Sequence, residues 1–100
     1  MILEIAIILI DPARAPEFEA AYAQARKVIT QSPGCGAVSL QRSIESPGRY
    51  LLFVEWPSIA HHVEGFRNSP LFTEWRRIIG PFFVSPPLVE HHELVADAAG

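Results

Sequence analysis

The segment from Tyr50 to Gly80 contains most of the residue types in this chain that could do chemistry. An aromatic-rich strand ends at Trp56, and two short helices are predicted to begin after Ser58 and Ser69. On the first helix, His62 lies at helical spacing from apolar residues and is expected to point inwards. The residues that share this face are Ile59, His62, Val63 and Phe66. Because an imidazole titrates near neutral pH, His62 is a candidate proton acceptor.

Aromatic side chains are expected to surround this histidine. On the second helix, Phe72 and Trp75 begin an inward stripe that continues with Ile78 and Ile79 until Gly80 ends the helix. Such residues could line a binding cleft, but core packing is the simpler explanation, because a helix buries an apolar stripe in any case. His62 likewise has a structural alternative, as a core residue with one satisfied hydrogen bond.

Composition limits the classes of partner and compartment. The 100 residues suit a single domain, 1–100, and the net charge of −3 without a basic run excludes nucleic acid and anionic membranes as partners. The apolar start contains Glu4 and lacks a basic leader, so we expect a strand there and neither a signal peptide nor a membrane span. The lone Cys35 fits a reducing compartment, and a cytoplasmic location is expected.

Periodicity predicts the order of secondary structure elements as strand, helix, strand, strand, split helix, strand. The predicted bounds are strands over 2–10, 37–44, 50–56 and 88–95, a long helix over about 16–32, and a frayed tail over 96–100. This order is that of a ferredoxin-like α+β domain, with a four-stranded antiparallel sheet and helices on one face.

The predicted sheet is apolar on both faces, although helices cover only one. In the first strand, Ile8 and Ile10 lie on one face while Ile5 and Ile7 lie on the other, and the third strand repeats this pattern. A bare apolar face of that size would promote aggregation. Sheet-on-sheet packing around a two-fold axis would cover it, so we expect a homodimer.

The run from Trp56 to His91 resembles the antibiotic biosynthesis monooxygenase family, whose members form dimeric α+β barrels. The matching positions are Trp56-Pro-Ser58, His62, Phe66-Arg67-Asn-Ser69, Phe72, Trp75 and Pro86-Pro87-Leu-Val89-Glu90-His91. The resemblance implies a homodimer with a shared barrel and an apolar pocket in each subunit between sheet and helices. The family includes cofactor-free monooxygenases and haem-degrading enzymes, so fold alone does not settle function.

The haem-degrading branch of the family is not matched. Its members carry an Asn on the first strand, a Trp after the third strand and a His on the next helix. Here the only asparagine in the sequence is Asn68, which is not on the first strand. The position of the family's tryptophan falls near Phe66, and the position of its histidine falls near Trp75 or Arg76. Haem would lack its axial imidazole, so we expect no haem and no other cofactor.

The sequence contains two pairs of adjacent histidines, His61-His62 and His91-His92, which could in principle bind a metal. Neighbours on a strand point to opposite faces and neighbours on a helix lie about 100° apart, so each pair offers one ligand to a single site. We therefore expect no metal, with His61 and His92 solvated. His91 shares its strand face with Val89 and Glu93, and it could join either the pocket or the dimer interface.

Cofactor-free oxygenation is the function that the resemblance favours. A deprotonated phenol or quinol reacts with dioxygen itself, so the protein needs a dry cleft, a base and hydrogen-bond donors. The partners would then be a small aromatic molecule and dioxygen, with His62 as the base. The cleft residues would be Trp56, Phe66, Phe72 and Trp75, with an indole N–H or Arg42 donating to the substrate oxygen.

Two further expectations complete the sequence-based view. Arg67, Arg76 and Arg77 are expected on a solvated charged face with Glu64 and Glu74, and Arg67 could also pair with a carboxylate across the dimer. The alternative function is a non-catalytic dimeric module that binds small apolar molecules in the same pocket, because no spacing in this chain requires catalysis.

Overall fold

The computed structural model describes residues 1–96, so most of the tail predicted over 96–100 lies outside the described residues. The elements are β1 (Ile2–Leu9), α1 (Ala15–Ile29), β2 (Val38–Arg42), β3 (Arg49–Trp56), a π-helical segment (His61–Phe66), α2 (Pro70–Ile79) and β4 (Leu88–His92). The four strands form one antiparallel sheet in the order β2-β3-β1-β4. This arrangement confirms the predicted ferredoxin-like α+β fold.

Short turns set the ends of the elements. The Asp11 side chain accepts a hydrogen bond from the Ala13 amide at 3.0 Å, and a 3₁₀ turn over Pro12–Arg14 leads into α1. Between β2 and β3 the chain turns through Gly48 at φ 84°, where a Cβ atom would collide with the Ile10 carbonyl. Glycine is therefore required at this turn.

The core lies between one face of the sheet and the helices. Alternate residues of β1, including Ala6 and Ile8, and of β3, including Leu52 and Val54, point to this face and are buried. The helices bury against them Phe18, Ala25 and Ile29 of α1 and Trp75 and Ile79 of α2. We call this side of the sheet the covered face.

Among residues 1–96, no helix lies over the opposite side of the sheet, which we call the open face. Its apolar side chains in the centre are Leu3, Ile5, Ile7, Leu51 and Phe53, and all five are only partly buried. Leu9 and Leu88, at the margin, are 39% and 61% exposed. The face is as apolar as the sequence indicates, and the homodimer that would cover it stays a prediction.

The helix after β3 differs from the predicted α-helix, because part of it is a π-helix. The Arg67 amide bonds to the His62 carbonyl at 2.9 Å, which is the i to i+5 pattern of a π turn. The wider turn shifts the phase of the helix. His62 and Phe66 stay buried, whereas Ile59, which was predicted to share their face, is 47% exposed.

Two strands are shorter than predicted. β2 ends at Arg42, and Ile44, which was predicted to lie in the strand, is 92% exposed in the turn that follows. β4 ends at His92, which pairs with Leu3 of β1. Among residues 1–96, no helix is long and apolar enough to cross a membrane.

Candidate functional site

A cavity of about 300 Å³ lies between the covered face of the sheet, the π-helical segment and α2. Most of its wall is apolar, and the aromatic part consists of Phe66, Phe72, Trp75 and Phe83. Four ionisable side chains interrupt this wall: Glu4, His62, Arg67 and Arg76. An apolar cavity with a few convergent polar groups is the usual form of a small-molecule site.

The register of the sheet places Glu4 beside His91. Glu4 of β1 lies opposite Val54 of β3 on one side and opposite His91 of β4 on the other. All three side chains therefore point to the covered face. Two residues after Val54 on the same face, Trp56 donates its indole Nε1–H to Glu4 Oε1 at 3.0 Å.

The π-helical segment places His62 over this row of side chains. Its Nε2 lies 3.3 Å from Glu4 Oε1, and its Nδ1 lies 2.8 Å from Nε2 of His91. The imidazole stacks on the Trp56 indole, with ring centroids 5.4 Å apart and an interplanar angle of 15°. Trp56, Glu4, His62 and His91 thus form a continuous line of polar contacts, which we call the Glu–His–His chain.

Burial changes the protonation of this chain. Glu4 and His62 are 5% and 3% exposed. Loss of water raises the pKa of Glu4, against the lowering effects of the Trp56 hydrogen bond and the Arg67 charge. Loss of water also lowers the pKa of His62 to about 4, and the Arg67 and His91 charges add to this shift. His62 is therefore neutral at pH 7, and its pKa lies below the unperturbed value assumed from sequence.

The same environment acts on His91. Its pKa is lowered, first by desolvation and then by the charges of Arg67 and His92. Two neutral imidazoles 2.8 Å apart must share one N–H between His62 Nδ1 and His91 Nε2. If His62 takes up a proton at Nε2 and passes its Nδ1 proton to His91 Nε2, His91 must release its own Nδ1 proton, and both imidazoles are then neutral again in the other tautomer. The chain can therefore pass a proton from the cavity wall towards β4 without moving a side chain.

The structure brings most of the predicted site residues together. His62, Phe66, Phe72 and Trp75 line the cavity. Trp56 and His91 lie behind the wall, where both contact His62. Trp56 Nε1–H is occupied by Glu4, so it is not free to donate to a ligand in this arrangement.

Arg42 lies elsewhere. Its Nη1 donates to Glu19 Oε2 at 2.9 Å, and Tyr50 Oη donates to the same oxygen at 2.6 Å. Arg42 is not among the residues that line the cavity. The expectation that it donates to a ligand beside His62 is thus corrected, because the β2 position turns its side chain towards α1.

Sequence reasoning did not assign Phe83 to the cavity wall, nor three of its four ionisable side chains. Glu4 was noted only as a charge in an apolar strand, yet a lone carboxylate in phase with the buried Ala6 and Ile8 is a usable signal. Arg67 and Arg76 are exposed, as expected, but their position in the cavity wall was not predicted. Arg77 is on the surface as expected, where its Nε donates to Glu74 Oε2 at 2.9 Å.

The Glu–His–His chain is not a metal-ligand cluster. Within residues 1–96, no three His, Cys, Asp or Glu side chains are grouped to hold a metal ion. The reason is geometric: Glu4 and His91 contact different nitrogens of His62, so the three groups face one another in a line and not a common point.

Comparison with known proteins agrees with this architecture. The chain is 46% identical to a protein of the antibiotic biosynthesis monooxygenase family from Bordetella bronchiseptica, whose crystal structure matches 95% of this chain and 97% of that one with a TM-score of 0.91. It is 37% identical to the uncharacterized protein YczJ of Bacillus subtilis, over 93% of this chain and 98% of YczJ.

A more distant structure shares the fold alone. SnoaB, a cofactor-independent oxygenase from Streptomyces nogalater, is 14% identical, with a TM-score of 0.79 over 99% of this chain and 97% of SnoaB. The family model described as antibiotic biosynthesis monooxygenase matches residues 1–78, which include β1 and most of the cavity wall. The chain therefore belongs to the antibiotic biosynthesis monooxygenase family.

Proposed function

We propose that this protein is a cofactor-independent monooxygenase that oxidises a small aromatic phenol or quinol in the cavity beside His62. One observation carries the proposal: a buried Glu–His–His chain ends in the wall of an apolar, aromatic-lined cavity. A core that needed only stability would fill these positions with apolar side chains, since buried ionisable groups cost free energy. Strongly perturbed titratable groups in a cleft are typical of active sites.

The reaction needs no external reductant. The base removes the substrate hydroxyl proton, and the resulting electron-rich anion is oxidised by dioxygen. When a ring C–H becomes a C=O group, the substrate loses four electrons and dioxygen gains them. One oxygen atom enters the product and the other leaves as water. The protein supplies a dry site, a proton acceptor and stabilisation of the developing anion.

His62 is assigned the role of base, acting together with Glu4. The carboxylate at 3.3 Å stabilises the imidazolium that forms when His62 takes the substrate proton. His91, at 2.8 Å from the other nitrogen, offers a route for that proton to leave. Because the pKa of His62 is lowered to about 4, the proposal needs both neighbours, with Glu4 facing the positive charge that forms and His91 taking the proton onward.

The remaining roles follow from position in the wall. Phe66, Phe72 and Trp75 would hold the aromatic ring of the substrate. Arg67 takes the place first given to Arg42 as the cation that stabilises the substrate oxyanion, because its charge already acts on Glu4 and His62. The proposal also includes a cytoplasmic homodimer, with the two open faces packed against each other.

Dioxygen uptake tests the proposal. Purified protein, stripped of metals, is incubated with a panel of naphthols, anthrones and quinols while an oxygen electrode records consumption. We expect uptake above the spontaneous rate with at least one compound, and the uptake should be unaffected by added chelator. If every compound gives only the spontaneous rate, the oxygenase proposal fails.

A non-catalytic binding module is the second candidate, and one observation favours it. Both nitrogens of His62 face protein groups, as in a core histidine whose hydrogen bonds are satisfied internally. In this case aromatic compounds bind in the cavity and quench tryptophan fluorescence, but no compound that binds is consumed. Saturable quenching without dioxygen uptake would support this candidate over the oxygenase.

A further inference from the structure

We propose that the molecule bound in this cavity is an aromatic carboxylic acid, whose carboxylate is neutralised by Arg67 and Arg76. The inference refines the proposed function by naming a substrate class, and it rests on that function only in placing the ligand in the same cavity. Three observations support it: the charge of the cavity wall, the lack of carboxylate partners for the two arginines among residues 1–96, and the contacts that orient Arg76. A physical argument, the cost of removing water from the two guanidinium groups, also supports it.

The cavity wall carries two cations without matching anions. Arg67 and Arg76 both line it. Among residues 1–96, Glu4 is the only carboxylate in the wall, and it accepts a hydrogen bond from Trp56 and contacts His62. Among the ion pairs of residues 1–96, neither Arg67 nor Arg76 has a carboxylate within 4.0 Å.

Among residues 1–96, three of the other five arginines have a carboxylate partner, whereas Arg26 and Arg49 do not. Arg42 pairs with Glu19 at 2.9 Å and Arg14 with Glu17 at 3.5 Å. Arg77, the direct neighbour of Arg76 on α2, pairs with Glu74. The contrast between Arg76 and Arg77 is useful, since two adjacent arginines on one helix differ in whether they face the cavity and in whether they have a counter-ion.

Aromatic rings hold the guanidinium of Arg76 without neutralising it. The group lies 5.8 Å from the ring centroids of both Phe72 and Phe83, which also line the cavity. Contacts of this kind orient a cation but leave its N–H donors free. A planar guanidinium with free donors matches a carboxylate, which can accept two parallel hydrogen bonds.

Arg67 acts at the catalytic end of the same cavity. Its amide bonds to the His62 carbonyl, and its charge lowers the pKa values of Glu4, His62 and His91. Arg67 and Arg76 are both exposed residues that border the cavity. A neutral aromatic ligand that filled the cavity would displace part of the water around their guanidinium groups without supplying a charge to replace it. A ligand that carries its own negative charge offsets this cost.

A matched pair of ligands tests the inference. Binding of 1-hydroxy-2-naphthoic acid and of its methyl ester is measured anaerobically at neutral pH, by calorimetry or by quenching of tryptophan fluorescence. We expect the acid to bind at least about 10-fold more tightly than the ester, because charge-assisted hydrogen bonds are made only by the acid. Raising the salt concentration should weaken binding of the acid and leave the ester unchanged.

Single substitutions test which arginines bind the carboxylate of the ligand. Arg76→Gln and Arg67→Gln should each weaken binding of the acid by about 10-fold and binding of the ester by less than about 2-fold. Arg77→Gln is the matched control and should change neither. Arg76→Lys should recover part of the affinity for the acid, since it keeps the charge but loses the bidentate geometry.

Three results would overturn the inference: equal affinities for acid and ester, no saturable binding of the acid, or equal losses in Arg76→Gln and Arg77→Gln. Dioxygen plays no part in these measurements. A protein that prefers the acid but consumes no dioxygen with any compound would keep this inference and reject the oxygenase.

Discussion

The covered and open faces of the sheet contrast in what they bury and expose. The covered face holds a carboxylate and two imidazoles among its apolar side chains, and Glu4 and His62 are almost fully buried. The open face carries Leu3, Ile5 and Phe53 at positions that no helix covers, and Leu88 there is 61% exposed. Each face thus has the kind of side chain that is usual on the other.

The buried ionisable groups of the covered face and the exposed apolar side chains of the open face have different physical explanations. Buried ionisable groups destabilise a fold unless something compensates, so their presence on the covered face indicates a site with a chemical role. Exposed apolar strands invite association, so the open face indicates an interface. The proposals therefore assign chemistry to one side of the four-stranded sheet and assembly to the other.

The largest expected effect concerns the open face. Ile5→Asp places a charge at the centre of β1 on this face and should convert the predicted homodimer to monomer or aggregate, because burying an unpaired charge costs several kcal/mol. Sedimentation at micromolar concentration should give twice the chain mass of 11.1 kDa for the wild type.

The control for that substitution is Ala23→Asp, which adds the same charge on the exposed side of α1. It should leave the sedimentation of the wild type unchanged. A wild-type protein that sediments as a monomer, or an Ile5→Asp variant that remains dimeric, would show that the open face is not the interface.

The next effect concerns the covered face. Glu4→Gln keeps the oxygen that accepts from Trp56 but removes the charge beside His62. Turnover should fall by about 10²-fold, because the imidazolium loses its stabilising partner. Stability should be unchanged or slightly higher, since burial raises the pKa of Glu4 and its ionised form is costly in the fold.

Glu55→Gln is the matched change on the opposite face of the same sheet, where Glu55 pairs with Leu3 of β1. Turnover in this variant should stay within about 2-fold of the wild type. If the two glutamine variants lose turnover equally, the difference between the faces does not reflect chemistry.

The smallest of these effects is a pH dependence of stability. The pKa of His62 is about 4 in the folded protein and near 6.5 when unfolded. Between these values only the unfolded chain binds the proton, so the free energy of unfolding should fall as pH drops from about 6.5 to 4, by up to about 3 kcal/mol. The lowered pKa of His91 acts in the same direction, and the raised pKa of Glu4 acts in the opposite one.

His62→Gln removes the His62 contribution and leaves Glu4, His91 and Arg67 in place. Its free energy of unfolding should therefore depend less on pH across this window, while His61→Ala, which changes an exposed residue, should follow the wild type. Urea unfolding at several pH values measures the slopes. Identical slopes in wild type and His62→Gln would mean that His62 titrates normally.

Much of the fold could be predicted from sequence, because its signals are local. The two-residue period of β1, the helical period of α1 and the Pro–Gly turns identify the elements, and their order identifies the sheet. The inward orientation of His62 was also predictable. The exposure of Ile59, three residues before His62, was not predictable, because a π turn changes the helical phase and leaves no clear trace in the spacing of apolar residues.

The candidate site could be predicted only in part, because it depends on non-local pairing. Glu4 meets His91 through the register of β1 with β4, which are separated by more than 80 residues of sequence. Nothing local in either strand specifies that register. The prediction for Arg42 was wrong for a related reason, because its partner Glu19 lies on α1 and no pattern within β2 indicates this pairing.

The central claim is that the Glu–His–His chain acts as a base and is not only a buried polar network. Turnover per folded molecule and the free energy of unfolding, measured together for His62→Ala, test it most directly. His61→Ala, one residue away and exposed, is the control. We expect turnover to fall by about 10²- to 10⁴-fold in His62→Ala and to change little in His61→Ala. Turnover that survives in His62→Ala while stability falls by about 1 to 3 kcal/mol would show that His62 is a core histidine and not a base.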